Sequence, residues 1–153
     1  MAIRAIIFDL GGVLINIDWQ RYWEDNIQGN DSWPYEYERL NTRLAQFIAS
    51  LRPRYKTATI CNRGSREAMN RKFQLDTLLD LMVYDNEEGI SKPDSCIYRL
   101  TLERLNVEAH ETVFVDDKVQ NVEAAQQLGM LALLFKDTEQ AITDIQNLLS
   151  PPS

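Results

Sequence analysis

Apolar residues fall into short runs along this chain, each closed by polar residues or glycine, and the runs alternate with segments whose apolar positions recur at helical spacing. Ile6, Ile7 and Phe8 predict a strand buried on both faces. Four further runs are long enough for buried strands: Thr57 to Ile60, Leu81 to Tyr84, Thr112 to Val115 and Leu131 to Phe135. Between them the pattern predicts helices over Tyr37 to Leu51, Arg66 to Phe73, Ser95 to Leu105, Val119 to Leu128 and Thr138 to Leu149. In the third of these, Ile97, Leu100 and Leu105 share a face with Tyr98, while Arg99, Glu103 and Arg104 fall on the polar side. Asp94 with Ser95 can cap its start, and Gly129 is placed to end the helix that closes at Leu128. Strand and helix in alternation predict a parallel sheet with right-handed crossovers, a doubly wound, three-layer α/β domain.

The 153 residues suit one domain, expected over 1–150, with the Ser150-Pro151-Pro152-Ser153 tail frayed from 151 on. With 44% hydrophobic and 25% charged residues the composition is that of a globular protein. A formal charge of −7 repels nucleic acid and anionic lipid, so neither is expected as a partner, and a phosphorylated substrate must be drawn in by local cations. Cys61 and Cys96 are too few for a disulfide framework and too far apart for a metal knuckle, which predicts reduced thiols and a cytoplasmic protein. No apolar run approaches the length of a membrane span, and no basic-then-apolar leader is visible.

The candidate chemistry lies at strand ends. Asp9 follows the first strand and precedes the Gly11-Gly12 pair, Cys61 and Asn62 follow the second, and Asp116 with Asp117 follow the fourth. In an open parallel sheet those positions converge on one edge, and Lys92, ahead of Pro93 and a helix, can lean over it. A carboxylate at Asp9 suits a nucleophile or a metal ligand, and equally a turn or helix cap. Lys92, Asn62 and the Asp116-Asp117 pair each have an ordinary structural reading too, as a loop lysine, a turn residue and a helix-start pair. Their joint order along the chain is the informative feature.

That series, Asp9, Asn62, Lys92-Pro93, then Asp116-Asp117 with Asn121, resembles the four motifs of the haloacid dehalogenase superfamily. The strongest stretches are Phe8 to Leu14, Gly89 to Tyr98 and Phe114 to Met130. The resemblance implies a Rossmann-like core with a five-stranded sheet in the order 5-4-1-2-3. It implies that Asp9 attacks phosphorus to form an aspartyl-phosphate and that Lys92 holds Asp9 and the phosphate. It further implies that Asn62 and main-chain donors around Cys61 and Arg63 bind phosphate oxygens, with the Cys61 side chain itself a packing or weak-donor residue. Asp9, Asp116 and Asp117, with a backbone carbonyl near Gly11, would bind one Mg²⁺, since carboxylates so crowded do not all stay ionised without a cation between them. Asn121 is expected to orient Asp117 or its loop.

Three departures from the family pattern matter. Phosphatases of the superfamily generally carry a second aspartate two residues after the nucleophile, as acid and base; here that position is Gly11. Cys61 stands where a Ser or Thr usually binds phosphate, and a thiol is the poorer donor. The segment between Asp9 and Asn62 is too short for the usual helical cap, leaving residues 16–36 as a truncated remnant that holds all three tryptophans. These aromatics are expected either to pack onto the core or to form a rim for a homodimer contact or substrate. His110 is expected on a surface loop. The expected function is a Mg²⁺-dependent phosphatase acting on a small phosphorylated substrate or on an exposed phosphate of a larger one. The alternatives are a haloacid-type dehalogenase and a catalytically impaired binding protein.

Overall fold

Isoleucine, valine and phenylalanine, stiff and apolar, fill the centre of a sheet whose middle strand is wholly shielded from solvent. The computed structural model describes residues 2–25 and 35–150. In chain order the elements are β1 (Ala5–Phe8), β2 (Ile15–Ile17), α1 (Trp19–Asp25), β3 (Glu38–Leu40), α2 (Thr42–Leu51), β4 (Lys56–Cys61), α3 (Arg66–Phe73), β5 (Leu81–Tyr84), α4 (Asp85–Glu88), α5 (Ser95–Leu105), β6 (Thr112–Asp116), α6 (Val119–Gln127), β7 (Leu131–Leu134) and α7 (Thr138–Leu149). Five strands form one parallel sheet in the order β5-β4-β1-β6-β7. Numbered among themselves and taken from the β7 edge, they give 5-4-1-2-3, the order the family resemblance implies. Phe8 lies opposite Thr59 on one side and Val115 on the other, which sets the ends of all three central strands level.

Alternate residues of β1 feed two cores. Ile6 and Phe8 pack with Leu44 and Ile48 of α2, Met69 of α3, and Ile142 and Ile145 of α7. Ala5 and Ile7 pack with Ile97, Tyr98 and Leu102 of α5 and Ala125 of α6. On α5 the buried stripe is Ile97, Tyr98, Thr101, Leu102 and Leu105, and Leu100 is only partly covered. Asp94 caps this helix by accepting from the Cys96 N–H at 2.9 Å, and Gly129, at φ +94, follows the last turn of α6.

The helix expected from Tyr37 is shorter than the apolar spacing indicates. Glu38–Leu40 pair antiparallel with Ile15–Ile17, and α2 starts only after Asn41, whose side chain accepts from the Leu44 N–H at 3.2 Å. A local period cannot reveal a strand partner two dozen residues upstream, whereas the Asn-Thr pair was a cap signal inside the predicted span. Within the cap remnant, Tyr22 is buried and meets Trp19 and Trp23 edge-to-face, at ring separations of 5.6 and 4.9 Å, while Trp19 and Trp23 stay 48% and 61% exposed. Trp33, Asn30, Asp31 and Pro34 lie outside the described residues. His110 is exposed in a 3-10 turn, Ala109–Glu111. Among the described residues no helix is long and apolar enough to cross a membrane.

Candidate active site

The level ends of β1, β4 and β6 bring the strand-end residues together. The Asp9 N–H donates to the Val115 carbonyl at 2.8 Å, so the residue is still anchored to the sheet as its carboxylate leaves it. Oδ1 of Asp9 accepts from its neighbour's Leu10 N–H and from Lys92 Nζ, both at 2.8 Å. The chain then turns tightly, with the Ile15 N–H on the Leu10 carbonyl and the Gly12 N–H on the Ile15 carbonyl, each at 2.8 Å. Gly12 has φ +86, and a Cβ there would collide with Asp117 Oδ2, so only glycine lets Asp117 lie against this turn. Gly11 differs: nothing lies within 4 Å of the place a Cβ would take.

Across the edge, Asp116 is fully buried and multiply held. Its Oδ2 accepts from Lys92 Nζ at 2.9 Å and from Asn121 Nδ2 at 3.1 Å, and its Oδ1 accepts from the Lys118 N–H at 2.9 Å. Asn121 therefore orients Asp116, where Asp117 or its loop was expected, and Tyr98 in turn donates its hydroxyl to the Asn121 backbone carbonyl at 2.9 Å. Lys92, with a side chain only 1% exposed, joins the two carboxylates like a strut. Its backbone is fixed from β4: Asn62 Nδ2 donates to the Lys92 carbonyl at 3.0 Å and the Lys92 N–H donates to Asn62 Oδ1 at 3.1 Å. One N–H of the Asn62 amide is left for another acceptor.

Crowding shows in the proton affinities. Burial, opposed by Lys92 and reinforced by Asp116, pushes the Asp9 carboxyl up to about 7. Burial alone would lower the Lys92 ammonium, but the charges of Asp9 and Asp116 carry it above its ordinary value. Oxygens of Asp9, Asp116 and Asp117 lie within 4.8 Å of one another, with Asp117 exposed to solvent. Three carboxylates against one ammonium leave an excess of two negative charges on hard oxygen donors, open on one side, and this donor set fits a divalent cation such as Mg²⁺. The Gly11 carbonyl accepts no hydrogen bond among the described residues.

Of the expected phosphate donors, the Cys61 side chain takes its packing role and the Arg63 main chain needs correction. Cys61 is buried among the apolar residues of the sheet face, close to Gly64 and Tyr84, and burial pushes its thiol up to about 12. Its thiol donates to the Asn62 carbonyl at 3.6 Å, which keeps that hydrogen from a ligand at the edge. The Arg63 backbone N–H is already spent on Asp85 Oδ1 at 3.0 Å, with Arg63 at φ +64. Asp85 was not singled out from the sequence, although it follows β5 as Asp9 follows β1, and the same strand-end rule would have found it.

A family model described as haloacid dehalogenase-like hydrolase matches residues 36–135, well over half of the chain. The chain belongs to the haloacid dehalogenase-like hydrolases. Asp9 precedes the matched span, so within this haloacid dehalogenase-like chain its place rests on the geometry above. Among curated relatives, bifunctional epoxide hydrolase 2 of Sus scrofa is 33% identical over 86 residues, 56% of this chain and 15% of that protein. The phosphorylated carbohydrates phosphatase of Thermotoga maritima is 37% identical over 87 residues, 56% of this chain and 39% of that one. The chain thus spans well under half the length of these relatives. Among solved structures, a haloacid dehalogenase family enzyme of Bacteroides thetaiotaomicron, an Asp-to-Ala mutant in complex with magnesium and inorganic phosphate, superposes with a TM-score of 0.72. It is 19% identical and covers 88% of this chain and 95% of its own, a likeness of fold.

Proposed function

We propose that this haloacid dehalogenase-like protein is a Mg²⁺-dependent phosphatase that uses Asp9 as its nucleophile on a small phosphorylated substrate. The observation that carries the reading is the buried Asp9–Lys92–Asp116 strut at the carboxyl edge, with Asp117 beside it. Leu10 N–H and Lys92 both hold Oδ1, which fixes the carboxylate and leaves Oδ2 to attack phosphorus. Lys92 offsets charge on the carboxylate and the incoming phosphate, and Asn62 sets where that ammonium sits while offering its remaining N–H to a phosphate oxygen. Asp9, Asp116 and Asp117, with the Gly11 carbonyl, would hold the cation. When bound, Mg²⁺ offsets anionic charge and polarises a phosphoryl oxygen. The likeness to the Thermotoga phosphatase and to the magnesium–phosphate complex of the Bacteroides enzyme supports the same reading. Two unpaired thiols, Cys61 and Cys96, suit a cytoplasmic setting.

The test is phosphate release from acetyl phosphate and from an aryl phosphate, with Mg²⁺ and with chelator, in the parent and in Asp9→Asn. Release that needs Mg²⁺ and is lost in Asp9→Asn is the expected result. Equal release from both proteins, or none from either, removes the phosphatase reading for these substrates.

A further inference from the structure

A phosphoryl group passing through Asp9 needs proton transfers that the carboxylate itself does not supply. In the first step Asp9 Oδ2 bonds to phosphorus and the bond to the leaving oxygen breaks, its electron pair departing with that oxygen. An alkoxide leaving in this way requires a proton; a carboxylate or phenolate does not. In the second step water bonds to phosphorus, the bond to Asp9 breaks with its pair returning to the carboxylate, and a proton of the water must be taken up.

The described residues hydrogen-bonded to Asp9 or clustered with its carboxylate offer no free group for either task. Asp116 has both oxygens engaged by Lys92, Asn121 and the Lys118 N–H. Asp117 lies against the Gly12 turn in the carboxylate cluster suited to the cation. Cys61 is turned into the core, Asn62 is not titratable, and His110 is on the 3-10 turn before β6, at the opposite end of that strand from Asp116. Gly11, two residues beyond Asp9, is exposed, with open space where a side chain would begin.

We infer that Gly11 divides the two steps: Asp9 accepts a phosphoryl group readily from acyl or aryl phosphates, and the resulting aspartyl-phosphate is long-lived. This rests on the phosphatase reading of the same site and adds to it a substrate class and a phosphorylated resting state. An acyl phosphate is the donor best matched, because its leaving carboxylate and Asp9 are the same kind of group and the exchange needs no proton. Hydrolysis lacking a positioned base is slowed by about 10²- to 10⁴-fold, which makes the second step the slow one.

The experiment mixes the full chain with Mg²⁺ and 4-nitrophenyl phosphate or acetyl phosphate, and follows nitrophenolate release and intact mass after acid quench. The expected result is a burst of nitrophenolate close to one per chain, a protein heavier by one phosphoryl group, and loss of that mass on treatment with hydroxylamine. Gly11→Asp, for which there is room, should abolish the burst and raise the steady rate by about 10²-fold or more. Mg²⁺-dependent turnover abolished in Asp9→Asn but without a burst or phosphoprotein overturns the inference and leaves the phosphatase reading standing. No release and no phosphoprotein from the parent or from Gly11→Asp overturns both. The burst and mass of the parent decide the matter even if Gly11→Asp fails to fold.

Discussion

Thr59 sits mid-strand in β4, between Phe8 and Met82, with a buried hydroxyl that has no hydrogen-bond partner. A desolvated hydroxyl left unmade costs more than its absence, so Thr59→Val, the same shape without the oxygen, should stabilise the protein by about 1 kcal/mol. A rise in the urea midpoint at unchanged slope would show it; a fall would mean the hydroxyl is satisfied in solution. Asp9 is the opposite case, a polar group whose discomfort has a use. Its folded value, raised to about 7 from an ordinary carboxyl value, means the folded state binds a proton that the unfolded chain has released. The stability this contributes is complete below the unfolded value and is lost as pH rises through about 7. A cation seated among the three aspartates would replace the proton. Added Mg²⁺ should therefore raise the melting temperature more at about pH 8 than at about pH 5.5, where it competes with the proton. An equal rise at both, or a larger one at the lower pH, would count against Asp9 as a ligand. Asp9, Asp116 and Asp117 were legible from sequence because their strands are, and Lys92 from its place ahead of Pro93 and α5. Which of the two roles expected of Cys61, packing or weak donor, it takes was not legible, since the last residue of a strand faces the core or the edge according to a parity that depends on register.

Asn41 shows what element-level reasoning gains from the structure. It caps α2, and its Nδ2 also donates to the Val13 carbonyl at 3.1 Å and to Thr138 Oγ1 at 2.8 Å, tying the Gly-Gly turn, the cap-remnant strands and the start of α7 at one point. Asn41→Ala should cost about 1–2 kcal/mol, the cap plus a share of the two bonds. Asn41→Asp keeps the cap acceptor but not the donors, and should fall between the two in chemical denaturation; an aspartate as costly as alanine would assign the whole effect to the bridging bonds. The five helices that pack on the sheet and its five strands were all visible as periods, because each buries a face whose spacing the sequence records. β2 and β3 were not, because three-residue strands carry too little alternation and their pairing is non-local.

At the scale of the whole molecule, an open five-stranded sheet has two edges, and β7 is the one more exposed to pairing: Leu131–Leu134 are exposed or half-buried, whereas β5 is mostly buried, and β7 carries no charge and no proline. The Phe135 N–H donates inward to the Asp116 carbonyl, so the backbone groups of Leu134 and Ala132, one and three residues earlier, point outward. Their carbonyls are covered by glutamines, Gln126 Nε2 on Ala132 and Gln140 Nε2 on Leu134, each at 3.3 Å. Gln140 also caps α7, so replacing it would confound edge protection with helix stability. Gln126 has no such second role among the described bonds, which makes it the clean test. Gln126→Ala bares the Ala132 carbonyl and should increase concentration-dependent self-association relative to the parent in sedimentation velocity. Gln126→Lys restores a donor and adds a charge at the edge, and should return the protein to the parent's behaviour. If the alanine variant sediments as the parent does across the concentration series, the glutamine is not what keeps this edge closed, and the twist of the four-residue strand must suffice.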